Sequence, residues 1–198
     1  TRQRPLATGE ISEREALGVF MVLVFIALIL VLMTNARTTY LAIAGLGLTA
    51  IYPFTKRFFH SPQLVLGAAF AWPIPMAFSA EADSLPAGLW LVFVATFLWI
   101  VVYDTYYGMV DRADDMKIGV KSTAVLFGRS EVTICAILQA CVLLLLVLTG
   151  RQFGCGSWYY AGLLLAAALF IYQNLQVRSR IPKHCFQAFL NNNYVGMA

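Results

Sequence analysis

Six stretches without a single charged side chain limit what this chain can become. They run Ala16–Thr34, Thr38–Pro53, Leu64–Ala80, Leu89–Tyr103, Val132–Thr149 and Trp158–Val177. Most reach or approach the ~20 residues a helix needs to cross hydrocarbon. Thr38–Pro53 is short and must extend into its flanks, and Leu89–Tyr103 attains that length only if its helix continues into the acidic residues that follow. A seventh helix is expected from near Pro182. Lipid leaves backbone groups no partner outside the chain, so spans of this kind are helices. The expected fold class is therefore all-α, a polytopic transmembrane helix bundle, with residues 1–198 forming a single transmembrane domain. Charged residues make up only 12% of the chain, against about a quarter in a soluble domain. That excludes an ordinary water-soluble globule. Pro73 and Pro75 should kink the third stretch. Gly45 with Gly47, and Gly67 with Ala71, offer small surfaces for close helix packing.

The loops give the orientation. Of the 14 Lys and Arg residues, 12 lie in the entry segment and in the loops at Lys56–Arg57, Arg112–Arg129 and Arg178–Lys183. Arg37 and Arg151 are on the opposite side. Cytoplasmic loops carry the basic excess, so the crowded side is cytoplasmic. The entry segment Thr1–Glu15 is polar and basic, unlike a signal peptide. Pro5 and Gly9 argue for a loop there, and Ser12 with Glu15 has the spacing of a capping box. The chain starts without a methionine and ends on an apolar run, Tyr194–Ala198, and so reads as part of a longer protein. The net charge of +4 suits an anionic membrane face and an anionic substrate equally; no nucleic-acid partner is expected.

Chemistry concentrates in Tyr103–Thr123. This stretch holds Asp104, Asp111, Asp114 and Asp115, four of the ten acidic residues. At about 100° per residue, Asp104, Asp111 and Asp115 fall within roughly 40° of one another, and Asp114 points off that stripe. Gly108 lies on the stripe and should leave room beside the carboxylates. Three aligned carboxylates call for a positive charge between them. Mg²⁺ holding a phosphate would supply it, since that ion takes one or two carboxylates plus phosphate oxygens. The plainer alternative is a solvated acidic helix end with Arg112 and Lys117 as partners. Emergence from an apolar helix favours the functional reading.

Other candidates carry plainer alternatives too. Lys56 and Arg57 end a helix on the same side and could meet an anion, or could simply be snorkelling anchors. Lys121 is a further phosphate partner or an ordinary loop charge. Tyr103, Tyr106 and Tyr107 could hold a cation by cation–π contact, or form an interfacial belt. Asn191, Asn192 and Asn193 line a cavity or pack helices. His60 and His184 lack metal-ligand spacing. Cys135, Cys141, Cys155 and Cys185 form no CxxC pair and read as small buried hydrophobes.

Several segments together resemble the UbiA family of membrane prenyltransferases. They are Arg4-Pro5-Leu6 with Gly9, Tyr52-Pro53-Phe54 with Lys56 and Arg57, Leu66-Gly67-Ala68-Ala69-Phe70, and Pro73-Ile74-Pro75-Met76. The most specific is Tyr103-Asp104-Thr105 running through Asp111 and Asp115 to Ile118-Gly119-Val120-Lys121-Ser122-Thr123, followed by Asn191-Asn192-Asn193-Tyr194-Val195-Gly196. The resemblance covers essentially the whole chain and is strongest toward the bacterial members that prenylate 4-hydroxybenzoate. It implies an all-helical fold of nine transmembrane helices around a central cavity, of which this chain is a fragment. The family's second aspartate motif, DxxxD, matches Asp111 and Asp115, and its YxxxK motif matches Tyr52 and Lys56. Its first aspartate motif and first two helices have no counterpart here and would precede Thr1.

What the resemblance implies about chemistry is specific. The reaction would move a polyprenyl group from polyprenyl diphosphate to the ring carbon ortho to the hydroxyl of 4-hydroxybenzoate, in ubiquinone biosynthesis. Mg²⁺ would sit on Asp111 and Asp115. Tyr52, Lys56, Arg57 and Lys121 would hold the diphosphate. Arg4, Tyr103, Tyr107 and Asn192 would contact substrate, and Asp104 would take the ring proton or help place the metal. The setting would be a bacterial inner membrane, with the active-site mouth on the cytoplasmic side. Alone, the 198 residues should be inactive, because half of the metal site is missing. Two rivals remain: a sister enzyme acting on naphthoate, homogentisate or haem, and a transporter of an anionic solute. A transporter should show internal repeats and midplane charges; no repeat is visible, and the charges lie at the mouth.

Overall fold

The computed structural model describes residues 5–59 and 61–198, with only the backbone given for residues 56–58 and 118. Every regular element among them is helical. Five stretches are long and apolar enough to span a bilayer: Glu13–Leu32, Pro62–Ala82, Leu89–Lys117, Thr123–Gln152 and Ser157–Val177. The chain is a multi-pass membrane protein.

The entry segment contains a one-turn helix, α1 (Pro5–Thr8), where Pro5 and Gly9 argued for a loop. Proline's fixed φ suits a first helical position, and Gly9 stops the turn at φ +76°. Helix α2 (Glu13–Leu32) opens with the expected capping box: Ser12 N–H donates to Glu15 Oε2 at 2.8 Å, and Glu15 N–H donates to Ser12 Oγ at 3.3 Å. None of its residues is buried. Helix α3 (Ala36–Phe58) runs well beyond its apolar stretch at the C-terminal end and takes in Lys56 and Arg57.

The third stretch does more than kink. It splits at Trp72 into α4 (Pro62–Ala71) and α5 (Pro73–Ala82). Pro73 cannot donate an N–H to the turn before it, and its ring crowds that turn. Trp72 is anchored across the break by donating from Nε1 to the Leu41 carbonyl at 2.7 Å. A Cβ on Gly45 would fall 2.6 Å from Trp72 Cδ1, so that glycine is what lets α3 approach the break. Gly67 similarly faces Phe97 and Val101, while Gly47 faces open space and takes no part in packing.

Helix α6 (Leu89–Ile118) is the centre of the bundle. It carries the fourth stretch on through all four aspartates, as its length required. Helices α4, α8 (Glu131–Gln152) and α10 (Pro182–Met197) pack along it, with α9 (Ser157–Val177) behind α8 and α10. Two buried clusters result. One joins Tyr106, Met109, Cys135, Val177, Cys185 and Ala188 across α6, α8, α9 and α10. The other joins Leu66, Ala71 and Ile100 across α4 and α6. Cys135 and Cys185 are buried and Cys141 and Cys155 half-buried, all as thiols.

Polar groups inside the bundle satisfy one another, because hydrocarbon cannot. Gln139 Nε2 donates to Gln173 Oε1 at 3.1 Å, and Gln173 Nε2 donates to Asn191 Oδ1 at 3.0 Å, linking α8, α9 and α10.

A candidate metal and diphosphate site at the end of α6

After α6 the chain turns back on itself. Gly119 adopts φ +71°, a left-handed conformation that favours glycine, and Val120 N–H donates to the Asp115 carbonyl at 3.0 Å. Ser122 Oγ then accepts from Val125 N–H at 3.3 Å and caps α7 (Thr123–Phe127). The return is docked from two sides. The Thr105 and Thr123 hydroxyls are 2.7 Å apart, and Thr123 N–H donates to Gln63 Oε1 of α4 at 3.0 Å. Both contacts are buried, and each fixes a backbone or hydroxyl group that hydrocarbon would leave unpaired.

This docking corrects the expected role of Gly108. A Cβ there would lie 3.3 Å from Ala124 Cβ and 3.8 Å from Ser122 Cβ. The missing side chain makes room for the returning segment, not for a ligand beside the carboxylates. The same docking leaves Lys121, half-buried, one residue from the segment that packs between Asp104 and Asp111.

The aspartates divide as the helical arithmetic requires. Asp111, Asp104 and Asp115 occupy one stripe of a continuous helix; Asp111 is exposed and the other two are half-buried. Asp114 is exposed, and Lys117 Nζ reaches its Oδ1 at 3.0 Å. Arg112, by contrast, leaves α6: its NH1 is 3.3 Å from Glu131 Oε1 and donates to the Gly128 carbonyl at 3.2 Å. The two basic residues proposed as partners of an ordinary acidic helix end are thus given to Asp114 and Glu131. Tyr52 of α3 and Tyr103, which precedes Asp104, both pack against the cluster of Leu66, Ala71 and Ile100.

An aromatic surface adjoins these carboxylates. Trp99, Tyr103 and Tyr107 follow at four-residue intervals on α6, and Tyr107 is one turn before Asp111. Tyr103 and Tyr107 meet Phe189 of α10 edge-on, with ring centroids 5.9 and 5.2 Å apart. Phe70, Trp99, Tyr103, Phe189 and Asn192 line a hollow of about 690 Å³. Phe70 continues into a second hollow of about 270 Å³ with Tyr52 and Thr49. Tyr106 is not part of this surface; it is fully buried in the core.

Other predicted residues fall differently. Asn192 is buried in the wall, where its Oδ1 accepts from Trp99 Nε1 at 2.8 Å and its Nδ2 donates to the Ala188 carbonyl at 3.0 Å. Asn191 belongs to the amide chain behind it, and Asn193 is exposed. Lys56 and Arg57 lie in the last turn of α3, and their side chains are outside the described residues, as are Arg4 and His60. His184 Nδ1 lies 2.9 Å from Ser179 Oγ. Sequence reading passed over Phe189 and Glu131. An acidic residue opening an apolar run was the available signal for Glu131; Phe189 had none, since a phenylalanine in an apolar helix is unexceptional.

The donor set suits a hard cation. Asp111 and Asp115 offer carboxylate oxygens one turn apart on one face. Among the described residues no group of three acidic, histidine or cysteine side chains gathers that could hold a metal alone. Two carboxylates with the remaining positions left to phosphate and water is the pattern of Mg²⁺.

Comparison with known proteins gives the family and the fold. The chain is 55% identical over 198 residues to 4-hydroxybenzoate octaprenyltransferase of Ectopseudomonas mendocina (strain ymp), covering 100% of this chain and 67% of that one. It is 53% identical over 197 residues to the enzyme of the same name from Salmonella paratyphi C (strain RKS4594), covering 100% of this chain and 68% of that one. The chain thus spans about two thirds of the length of these relatives. Its fold matches that of a UbiA homolog from Aeropyrum pernix K1 with a TM-score of 0.81 at 22% identity, over 98% of this chain and 74% of the other. A digeranylgeranylglyceryl phosphate synthase matches with a TM-score of 0.69 at 20% identity, over 98% and 71%. The model of the UbiA prenyltransferase family matches residues 1–195, and with the full-length relatives this establishes that the chain belongs to the UbiA prenyltransferase family.

Proposed function

We propose that the protein to which this transmembrane domain belongs transfers a polyprenyl group from polyprenyl diphosphate to 4-hydroxybenzoate in ubiquinone biosynthesis. New carbon–carbon bonding is at the ring position ortho to the hydroxyl, and diphosphate leaves. One observation carries the reading: the stripe Asp104–Asp111–Asp115 shares α6 with the aromatic series Trp99, Tyr103 and Tyr107, while Arg112 and Lys117 are engaged by Glu131 and Asp114. Relatives that bear the name of this activity at 53–55% identity support the acceptor.

Each group has a task. Asp111 and Asp115 would hold Mg²⁺. When bound, that ion neutralises charge developing on the leaving group. Lys56, Arg57, Lys121 and Tyr52 take the remaining phosphate oxygens. The prenyl C–O bond breaks with its electron pair going to the diphosphate. Tyr103, Tyr107 and Phe189 face the resulting allylic cation with their rings. The apolar walls keep water from quenching it. The acceptor ring carbon then supplies the electron pair of the new bond, and the displaced ring proton passes to Asp104. Arg4 contacts the acceptor, and Asn192 holds Trp99 in place in the wall of the hollow. The mouth opens on the cytoplasmic side of a bacterial inner membrane, where the basic loops lie.

The test is product formation by the full-length protein in membranes, with polyprenyl diphosphate and 4-hydroxybenzoate. Prenylated 4-hydroxybenzoate should appear with Mg²⁺ and vanish with a chelator. Product only with naphthoate, homogentisate or haem would assign the chain to a sister enzyme.

A further inference from the structure

Glu131 is the most deeply placed charge among the described residues, with none of its surface exposed. It opens α8 directly after a 3-10 turn, Gly128–Ser130. Two guanidinium groups converge on one of its oxygens. Arg180 Nε lies 2.7 Å from Oε1, and Arg112 NH1 lies 3.3 Å from the same atom. Each arginine also binds a carbonyl of the turn, Arg112 that of Gly128 and Arg180, through NH2 at 2.8 Å, that of Arg129. Arg180 makes this reach from a left-handed backbone at φ +54°, a conformation a non-glycine residue adopts only when its surroundings hold it there.

The position of Arg112 gives this cluster meaning. It stands between Asp111 and Asp115 in the chain, and three residues before Asp115 on the helix. Side chains three apart on a helix are neighbours, and an Arg–Asp pair at that spacing forms readily. Lys117 and Asp114 make such a pair in the same two turns. Arg112 is turned toward α8, roughly 60–100° around the helix from the stripe.

We propose that Glu131 is a positioning residue that withholds Arg112 from the metal-binding aspartates. With Glu131 charged, Arg112 stays on α8 and the turn and does not add its charge to the stripe. With a neutral side chain at position 131 the two guanidiniums lose that counter-charge, and the one on α6 has Asp115 three residues along its own helix. This deepens the proposed function and rests on Asp111 and Asp115 binding metal.

The experiment measures metal binding, not turnover. Mn²⁺ stands in for Mg²⁺ on the purified full-length protein, with free ion followed by its paramagnetic resonance signal. Glu131→Gln should weaken Mn²⁺ binding about tenfold, the scale of one unit charge brought near a carboxylate pair. Adding Arg112→Gln to Glu131→Gln should restore affinity to within about twofold of the original. A purely structural role predicts the reverse, since the double variant loses more contacts. Unchanged binding in Glu131→Gln, or a double variant as weak as the single, overturns the proposal. If Glu131→Gln fails to fold, Arg112→Gln alone decides: it should bind Mn²⁺ at least as well as the original, and weaker binding overturns the proposal. Asp115→Asn separates the two readings. If it binds Mn²⁺ normally, the metal site itself is misplaced and the proposal falls with it; if it loses binding while Glu131→Gln does not, only the role of Glu131 fails.

Discussion

Trp99 on α6 donates its indole N–H to Asn192 Oδ1 on α10 at 2.8 Å, across the wall of the aromatic hollow. Asn192 spends its other hydrogens on carbonyls one turn back in its own helix. Removing the amide leaves a part-buried indole donor unpaired, which costs at most about 1–3 kcal/mol. Asn192→Leu should therefore lower the thermal midpoint of the detergent-solubilised protein, and Trp99→Phe should add little once Asn192 is gone. A variant with unchanged melting but a raised KM for 4-hydroxybenzoate would make Asn192 a direct substrate contact.

Asp111→Asn and Asp115→Asn should each lower kcat/KM by about a hundredfold or more at saturating Mg²⁺, the scale of one lost electrostatic contact at a reacting centre. Asp114→Asn should stay within about threefold, because its partner is an exposed surface lysine and such pairs contribute little. An inactive Asp114→Asn beside an active Asp111→Asn would contradict the stripe.

Lys56→Ala and Arg57→Ala should raise the KM for polyprenyl diphosphate about tenfold and change that for 4-hydroxybenzoate much less, since both sit at the end of α3 nearest Tyr52. Steady-state kinetics with each substrate varied in turn would separate them. A selective rise in the KM for 4-hydroxybenzoate would give Arg57 to the acceptor carboxylate, which a bidentate guanidinium suits equally well.

Gly67→Val should destabilise the bundle by about 1–3 kcal/mol, the usual cost of overpacking. Even a Cβ at this position would lie 3.1 Å from the Phe97 carbonyl oxygen, a backbone atom that cannot rotate aside. Gly47→Val should be nearly neutral, with open space around it. Thermal melting of the two variants side by side is the check.

The apolar stretches alone determined that the chain is a helical membrane bundle, because continuous apolar runs near ~20 residues satisfy their backbone in hydrocarbon as helices. The spacing of Asp104, Asp111 and Asp115 likewise determined their common face once α6 was known to continue, since helical geometry is local. Even the capping box of Ser12 and Glu15 was legible, being a contact three residues long. What only the tertiary structure decided are relationships between distant segments. Gly108 looked like clearance for a ligand, and the fold fills that clearance with the return through Ser122 and Ala124. Arg112 looked like a partner for the acids beside it, and the fold gives it to Glu131, nineteen residues later. Phe189 was one apolar residue among many until α10 set it against Tyr103 and Tyr107. Local geometry fixes which side chains share a helix face; it contains no information about which face of which helix will come to lie opposite, and charge pairing, close packing and cavity shape all depend on that.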